Sequence, residues 1–446
     1  MVSSDLLFDL KCLRRRLRPG ILRMAFLLGM LLPIAGSVAA QGNYLLERLS
    51  ELPNVTVTEI GNPQFPAGYF ILSIPQLVDH TDSAGGTFSH RIFLGIRAVD
   101  APNVLVTDGY GVDYAGKPDY QHELAKLLQA NLIVVEHRFF SKSQPPKLDY
   151  TKLTTAQAAA DVHGVRKLLD SLLVGPWLST GTSKGGQAAL AHRMAFPNDV
   201  SATVVFGTAV KKGPTITTDA LLKPLMETGC GAQVTAFQEY CFTHKDSIFP
   251  AFIAAVMAQN LDFGDMEMAI VLDYALLEFP YSFWQTGGEC ADIPPVTATA
   301  AACVNYLNEI VSPKFYTVAT RKRWAPAFYQ FYSELGYYEY DLAPFKEYLS
   351  ADAYPNQIFG PKDVPLNMNT GFLEAARDFL DEPAGHTVYF VYGEKDPWAL
   401  QSVVVGNKYI VEGGSHKSKL SDLSGEQRAG LESRLRKCLV KKMAIE

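Results

Sequence analysis

Charge is scarce in this sequence. Only 19% of its 446 residues are Asp, Glu, Lys or Arg, and 46 acids against 40 bases leave a formal net charge of −6. That balance argues against an electrostatic nucleic-acid binder, which normally shows a basic face. Cysteine is scarce too. There are six, none in the C-x-x-C spacing of a zinc or redox site, and too few for a disulfide scaffold. Glycine (34) and proline (26) stay at ordinary levels, which excludes collagen-like and wholly disordered chains. The sequence has no internal repeat and no low-complexity tract. Beyond residue 40 no stretch is long and apolar enough to span a bilayer. Apolar material is plentiful at 48%. The length fits two to four domains, or one α/β core carrying a large insertion.

The first 40 residues stand apart. Arg14, Arg15, Arg16, Arg18 and Arg23 lead into an apolar run over 24–40 that ends in small residues, with Val38 and Ala40 suited to cleavage before Gln41. Pro33 interrupts the run, which is short against the roughly 20 residues of a spanning helix. Residues 1–40 are therefore predicted to be a cleaved export signal, and the protein secreted or periplasmic. Without that segment, which carries six bases and two acids, 34 bases face 44 acids, a net charge of −10. In an oxidising compartment the expected bridges are Cys230 with Cys241 and Cys290 with Cys303, each closing a short loop. The competing reading is four buried thiols. Cys438 is expected in the core or as a free thiol.

Tyr69–Leu77 and Thr87–Ala98 are rich in β-branched and aromatic residues and are joined by a turn-forming Asp82–Gly86, a hairpin pattern. Short apolar runs then alternate with helical segments. Strands are predicted at Asn103–Thr107, Leu132–Glu136, Trp177–Thr180 and Thr203–Phe206. Helices are predicted near Gln121–Gln129, Thr155–Ser171 and from Ser183. Buried runs separated by helices indicate a mostly parallel sheet covered on both faces. The rhythm breaks after about residue 210 and returns as strands at His386–Tyr392 and Lys408–Val411, followed by a charged helix. The predicted organisation is an α/β core over 41–214 and 371–446, interrupted by a helical cap over 215–370.

One motif carries chemistry. Gly181-Thr-Ser183-Lys-Gly185 is G-x-S-x-G, placed after an apolar run and before an Ala-rich helix, the setting of a nucleophile elbow. The turn is too sharp for side chains two residues either side of the serine. It also places the hydroxyl at a helix N-terminus, where developing negative charge is favoured. A serine hydroxyl needs a base, itself held by an acid, and in this arrangement acid and then histidine follow in sequence. Asp396 ends one C-terminal strand and His416, 20 residues on, follows another. Glu394 is the alternative acid, less well placed. For an oxyanion, the expected donors are the N–H of Lys184 and, from the loop after an early strand, that of Tyr110. The Lys184 side chain is expected to be solvent-facing or structural, and Glu136 and Arg138 to form a buried pair. His137, His163 and His192 are expected as core or helix histidines. No cluster has metal-ligand spacing, and no cofactor is implied.

Four segments together resemble the secreted bacterial prolyl tri/tetrapeptidyl aminopeptidases and, more distantly, the prolylcarboxypeptidase and dipeptidyl-peptidase II group. They are Glu136–Ser143, Gly181–Gly186 continuing to Pro197, Phe328–Tyr338, and Gly393–Trp398 with Gly413–His416. They span most of the chain after residue 40. The resemblance implies an α/β-hydrolase fold with a helical cap, and a serine exopeptidase that releases short N-terminal peptides after proline. The residues alone indicate only a serine hydrolase.

A proline ring is apolar and lacks an N–H, so an aromatic pocket suits it. Trp324, Phe328 and Tyr337 are the expected lining, drawn from a set that includes Trp284, Tyr329, Tyr332 and Tyr338. A free peptide ammonium calls for a carboxylate in the cap, and Glu334, inside a family-like segment, is the expected one. Two rival readings stay open: a carboxylesterase or lipase-type hydrolase with the same machinery, and a non-catalytic module on a hydrolase scaffold.

Overall fold

The computed structural model describes residues 44–402 and 406–443; the predicted export signal lies outside them. A ten-residue antiparallel ladder founds the sheet. β2 (Gly68–Leu77) pairs with β3 (Thr87–Ile96) from Gly68↔Ile96 to Leu77↔Thr87. The Asp82 carboxylate accepts the Ala84 N–H in the turn between them, a side-chain turn that Asp favours. A short edge strand, β1 (Thr56–Glu59), adds to β2. It is four residues of mostly polar sequence, without the apolar run that marks the interior strands.

Past β3 the sheet becomes parallel through β4 (Asn103–Thr107), β5 (Asn131–Val135), β6 (Trp177–Thr182), β7 (Ala202–Phe206), β10 (Val388–Gly393) and β11 (Lys408–Val411). The spatial order is β1-β2-β3-β5-β4-β6-β7-β10-β11. Both faces of the inner strands β4, β5, β6, β7 and β10 are covered, which is why these strands read as continuous apolar runs, while β11 at the edge is only partly buried. Val104 and Val106 of β4, with Leu132 and Val134 of β5, pack on α1 (Glu123–Leu128) and α12 (Gly425–Met443). Leu105, Ile133 and Val135, one residue out of step, pack on α2 (Thr155–Leu169). This is the two-residue period of a strand expressed as two cores. α3 (Lys184–Ala195) lies against α2 and β6.

The insertion between β7 and β10 has its own core. It runs through β8 (Thr215–Thr217), α4 (Thr218–Met226), α5 (Gly229–Thr243), α6 (Lys245–Met257), α7 (Met268–Thr286), α8 (Ala300–Ile310), α9 (Val318–Gln330), a π-turn over Phe331–Leu335, and β9 (Tyr337–Glu339). β8 and β9 pair in parallel and tie its two ends together. α7 contains Pro280, which cannot donate to the carbonyl four residues back. Gln238 supplies that bond instead, its Nε2 donating to Leu276 O at 2.8 Å. α10 (Gly371–Leu380) returns the chain to α3, and α11 (Pro397–Gln401) follows β10. Among the described residues no helix is long and apolar enough to cross a membrane.

The cysteine pairing corrects the expectation. Cys230 bridges Cys290, with Cα atoms 5.6 Å apart, while Cys241 and Cys303 are free and buried. The segment read as a loop is helix: Cys230 and Cys241 both lie on α5. Eleven residues of helix separate their Cα atoms by about 16 Å along the axis, beyond the roughly 7 Å that a disulfide tolerates. A bridge that closes a 60-residue separation stabilises by ~4 kcal/mol in the chain-entropy account. Cys438 is half-buried and free.

Candidate active site

β6 delivers Ser183 to the sheet's C-terminal edge with φ 56° and ψ −124°, a conformation rare for any residue but glycine and typical of strain held at functional sites. Its N–H donates to Phe206 O at 2.8 Å, so the elbow is pinned to the end of β7. A Cβ on Gly185 would lie 2.7 Å from the Thr107 carbonyl oxygen, which is why a glycine stands there.

The neighbouring strands bring up the other two groups. β7, β10 and β11 are adjacent and parallel, so their C-terminal loops share one edge. The Asp396 side chain is fully buried. Its Oδ1 caps α11 by accepting the Trp398 N–H at 3.0 Å, and its Oδ2 accepts from His416 Nδ1 at 2.9 Å. Gly207, next after β7 at φ 52°, makes room for this pair: a Cβ there would lie 2.8 Å from the His416 ring and 3.1 Å from Asp396 Oδ2. The cap takes part as well. Gln285 O on α7 accepts the His416 N–H at 3.2 Å, and Gln285 Oε1 accepts from Trp398 Nε1 at 3.1 Å. Glu394 is occupied elsewhere, accepting the Gly413 N–H at 2.8 Å.

Between this edge and the cap lies a cavity of about 350 Å³, inside the range of small-ligand sites. Ser183 opens into it, and Trp324, Phe328, Tyr337, Tyr338 and Trp398 line it. Trp284, Tyr329 and Tyr332 are outside the lining and pack in hydrophobic clusters. The ring of Tyr110 lines the cavity and meets Trp324 edge-on at 4.6 Å.

Several groups sit differently from expectation. The Tyr110 N–H, expected to face an oxyanion, donates to Asp108 Oδ1 at 2.8 Å; Asp108 follows β4 directly and reaches back over its own turn. Lys184 N is the first amide of α3 and has no intrahelical acceptor. The Lys184 side chain is buried and structural. Its Nζ donates to Gly109 O at 2.8 Å, facing the Tyr110 and Phe140 rings, and burial brings its pKa down to about 7.

Glu334 does not line the cavity. Its Oε2 accepts the Thr155 N–H at 2.7 Å at the N-terminus of α2, where the helix dipole favours a carboxylate. Burial raises its pKa.

Glu136 and Arg138 are buried but do not pair. Glu136 meets Arg91 and Ser143, while Arg138 grips Asp161 through two bonds of 2.6 and 2.7 Å. The chain has left β5 by residue 136, so strand alternation no longer sets where these side chains point. His137 and His192 are buried, and His163 bonds Asp199 at 2.7 Å.

Among the cavity residues not singled out from the sequence are Lys211, Glu278, Gln285 and Trp398. Lys211 Nζ donates to Leu335 O and Gly336 O and lies over the Trp398 ring, and burial lowers its pKa to about 7. Glu278 carried a signal, an acid set in the apolar stretch Leu276–Tyr281 of a buried helix.

A mostly parallel, doubly covered sheet with a serine on a strained strand-to-helix turn, below an inserted cap, defines an α/β-hydrolase of the serine-hydrolase class. Sequence comparison names the group. The model of the PS-10 peptidase S37 family matches residues 41–437, and the chain belongs to that family of serine peptidases. It is 26% identical over 438 residues to a prolyl tri/tetrapeptidyl aminopeptidase of Streptomyces mobaraensis, covering 94% of this chain and 90% of that one. A lysosomal Pro-X carboxypeptidase of Mus musculus is 27% identical over 165 residues, 33% of this chain and 34% of its own. Among solved structures, the proline iminopeptidase of Mycobacterium smegmatis aligns with a TM-score of 0.39 at 12% identity, covering 83% of this chain and 99% of that chain.

Proposed function

We propose that this serine peptidase is an exported exopeptidase that cleaves after proline and releases tri- or tetrapeptides from free N-termini. The observation that carries the reading is that the strained Ser183 opens into an aromatic cavity at the same sheet edge that carries the hydrogen-bonded His416–Asp396 pair. Ser183 Oγ attacks the carbonyl carbon of the proline itself as His416 Nε2 accepts the hydroxyl proton. Asp396, bonded to Nδ1, keeps the imidazole in the right tautomer and steadies its charge. The imidazolium then protonates the leaving amine, and a water activated by the same nitrogen hydrolyses the peptidyl ester. The Lys184 N–H supports the oxyanion. Trp324, Phe328 and Tyr337 offer the proline ring apolar faces. Residues 215–370 act as the cap that limits access to chain ends, and residues 1–40 direct export.

A Ser183→Ala variant tests the assignment. It is expected to lose about 10⁶ in kcat on a prolyl peptide reporter, with an unchanged unfolding midpoint and no fluorophosphonate labelling. Undiminished turnover refutes it. Parallel assays on short acyl esters and on N-terminally free and blocked prolyl peptides separate peptidase from esterase action.

A further inference from the structure

α7 carries two acids inside the cap, and their surroundings differ. Asp273 is neutralised, with Lys245 Nζ 2.5 Å from its Oδ1. Glu278 lines the cavity and has no cationic partner among the described residues. Three hydroxyls hold it: Ser282 Oγ donates to Oε1 at 2.7 Å, and the Tyr338 and Tyr340 hydroxyls donate to Oε2 at 2.8 Å each. A carboxylate offers about four lone-pair sites, so one acceptor position remains. Glu278 and Ser282 are the two side chains between Val271 and Trp284 that keep some exposure, and both line the cavity. The two lysines nearby do not answer this charge, since Lys184 is bound to Gly109 O and Lys211 to Leu335 O and Gly336 O. A buried carboxylate without a counter-charge is costly, and an incoming cation removes that cost.

We infer that Glu278 is the anchor for the substrate's N-terminal ammonium, and that α7 measures the length of peptide released. The inference rests on the exopeptidase reading above and supplies the residue for terminus recognition that Glu334 does not. The ruler follows from helix geometry. Gln285, whose carbonyl holds the His416 backbone, is seven residues beyond Glu278 on α7. Seven residues of helix advance about 10 Å, and an extended peptide covers that in about three residues at ~3.3 Å each. With Glu278 at one end and His416 at the other, a chain that places its ammonium on the carboxylate presents its third or fourth peptide bond to Ser183.

The test is Glu278→Gln in the full chain, assayed on prolyl reporters with two to five residues before the scissile bond, each with a free and an acetylated terminus. The expected result is a fall of about 10² in kcat/KM on the free-amine tri- and tetrapeptidyl reporters, the scale for removing one member of a buried charge pair. Acetylated reporters should change by less than about threefold, so that free-over-blocked selectivity collapses and the length optimum flattens. Undiminished fluorophosphonate labelling of Ser183 reports an intact elbow. If the amide variant does not fold, Glu278→Met carries the same expectation with fewer polar atoms to satisfy.

A variant that keeps the wild-type selectivity and length optimum overturns the inference and leaves the exopeptidase reading standing. A wild-type enzyme indifferent to terminus blocking, or inactive on prolyl peptides, overturns the reading itself and the inference with it.

Discussion

Arg138 in the sheet core and Glu278 in the cap are both charged groups withdrawn from water, and their neighbours treat them in opposite ways. Arg138 is held by Asp161 and by the carbonyls of Leu77, Val78 and Lys152, so that one guanidinium ties the C-terminal end of β2 to the loop leading to α2. Asp161 in turn accepts from His80 at 2.7 Å. Burial pushes the Asp161 carboxyl up, but Arg138, His80 and His90 together pull it down, and it ends below its ordinary value. Glu278 is given hydroxyls and no cation, and burial leaves its carboxyl raised. The core completes its charges internally. The cap leaves an acceptor open toward the cavity, a place for substrate to complete.

The comparison can be broken from the core side first. Asp396→Asn keeps the shape of the dyad but favours the wrong His416 tautomer; kcat should fall about 10⁴-fold with the unfolding midpoint nearly unchanged. Steady-state kinetics beside a thermal melt checks both halves of that statement. Arg138→Met should instead cost about 3–5 kcal/mol of stability, because Asp161 is left buried with His80 as its remaining partner. Urea unfolding measures it. The same pair predicts acid sensitivity. A depressed native pKa contributes stability above the unfolded carboxylate value, and that contribution is lost as pH falls through the native pKa, so the variant should show a flatter acid limb than wild type.

On the cap side, Cys230→Ser removes the tie to Cys290 and should lower stability by about 2–4 kcal/mol, read as a fall in urea midpoint. If the cap unfolds independently, cavity-dependent activity is lost at lower denaturant than sheet structure, and circular dichroism beside activity reads the two. The smallest expected effect is Trp324→Ala, which removes one aromatic wall. KM on prolyl reporters should rise about tenfold, with kcat changed less, because uniform binding is lost.

The core was legible in the sequence because its inner strands are buried on both faces and so read as apolar runs separated by helices. The interior strand Asn103–Thr107 and the edge strand Lys408–Val411 were read to the residue, and the other expected strands to within two. The elbow was legible because its geometry demands small residues at fixed spacing. Elsewhere the sequence was ambiguous. Short Cys spacing reads equally as a closed loop or as turns of one helix, and α5 is the helix. A backbone N–H such as that of Tyr110 has no sequence signature, since whichever acceptor lies nearest takes it, here the Asp108 side chain. Glu334 and Glu278 are both acids in aromatic-rich segments. Which one faces the cavity depends on how α7 and the π-turn after α9 are rotated against the sheet.

Alternation and glycine spacing are local, so the amino-acid order by itself determined the doubly covered sheet, the serine on its turn, and the order of serine, acid and histidine along the chain. The Cys230–Cys290 tie, the seating of His416 against Gly207 and Gln285, and the choice of carboxylate left open in the cap were decided by tertiary structure. Each depends on the distance and orientation of segments remote in sequence, and those are set when the cap packs on the sheet.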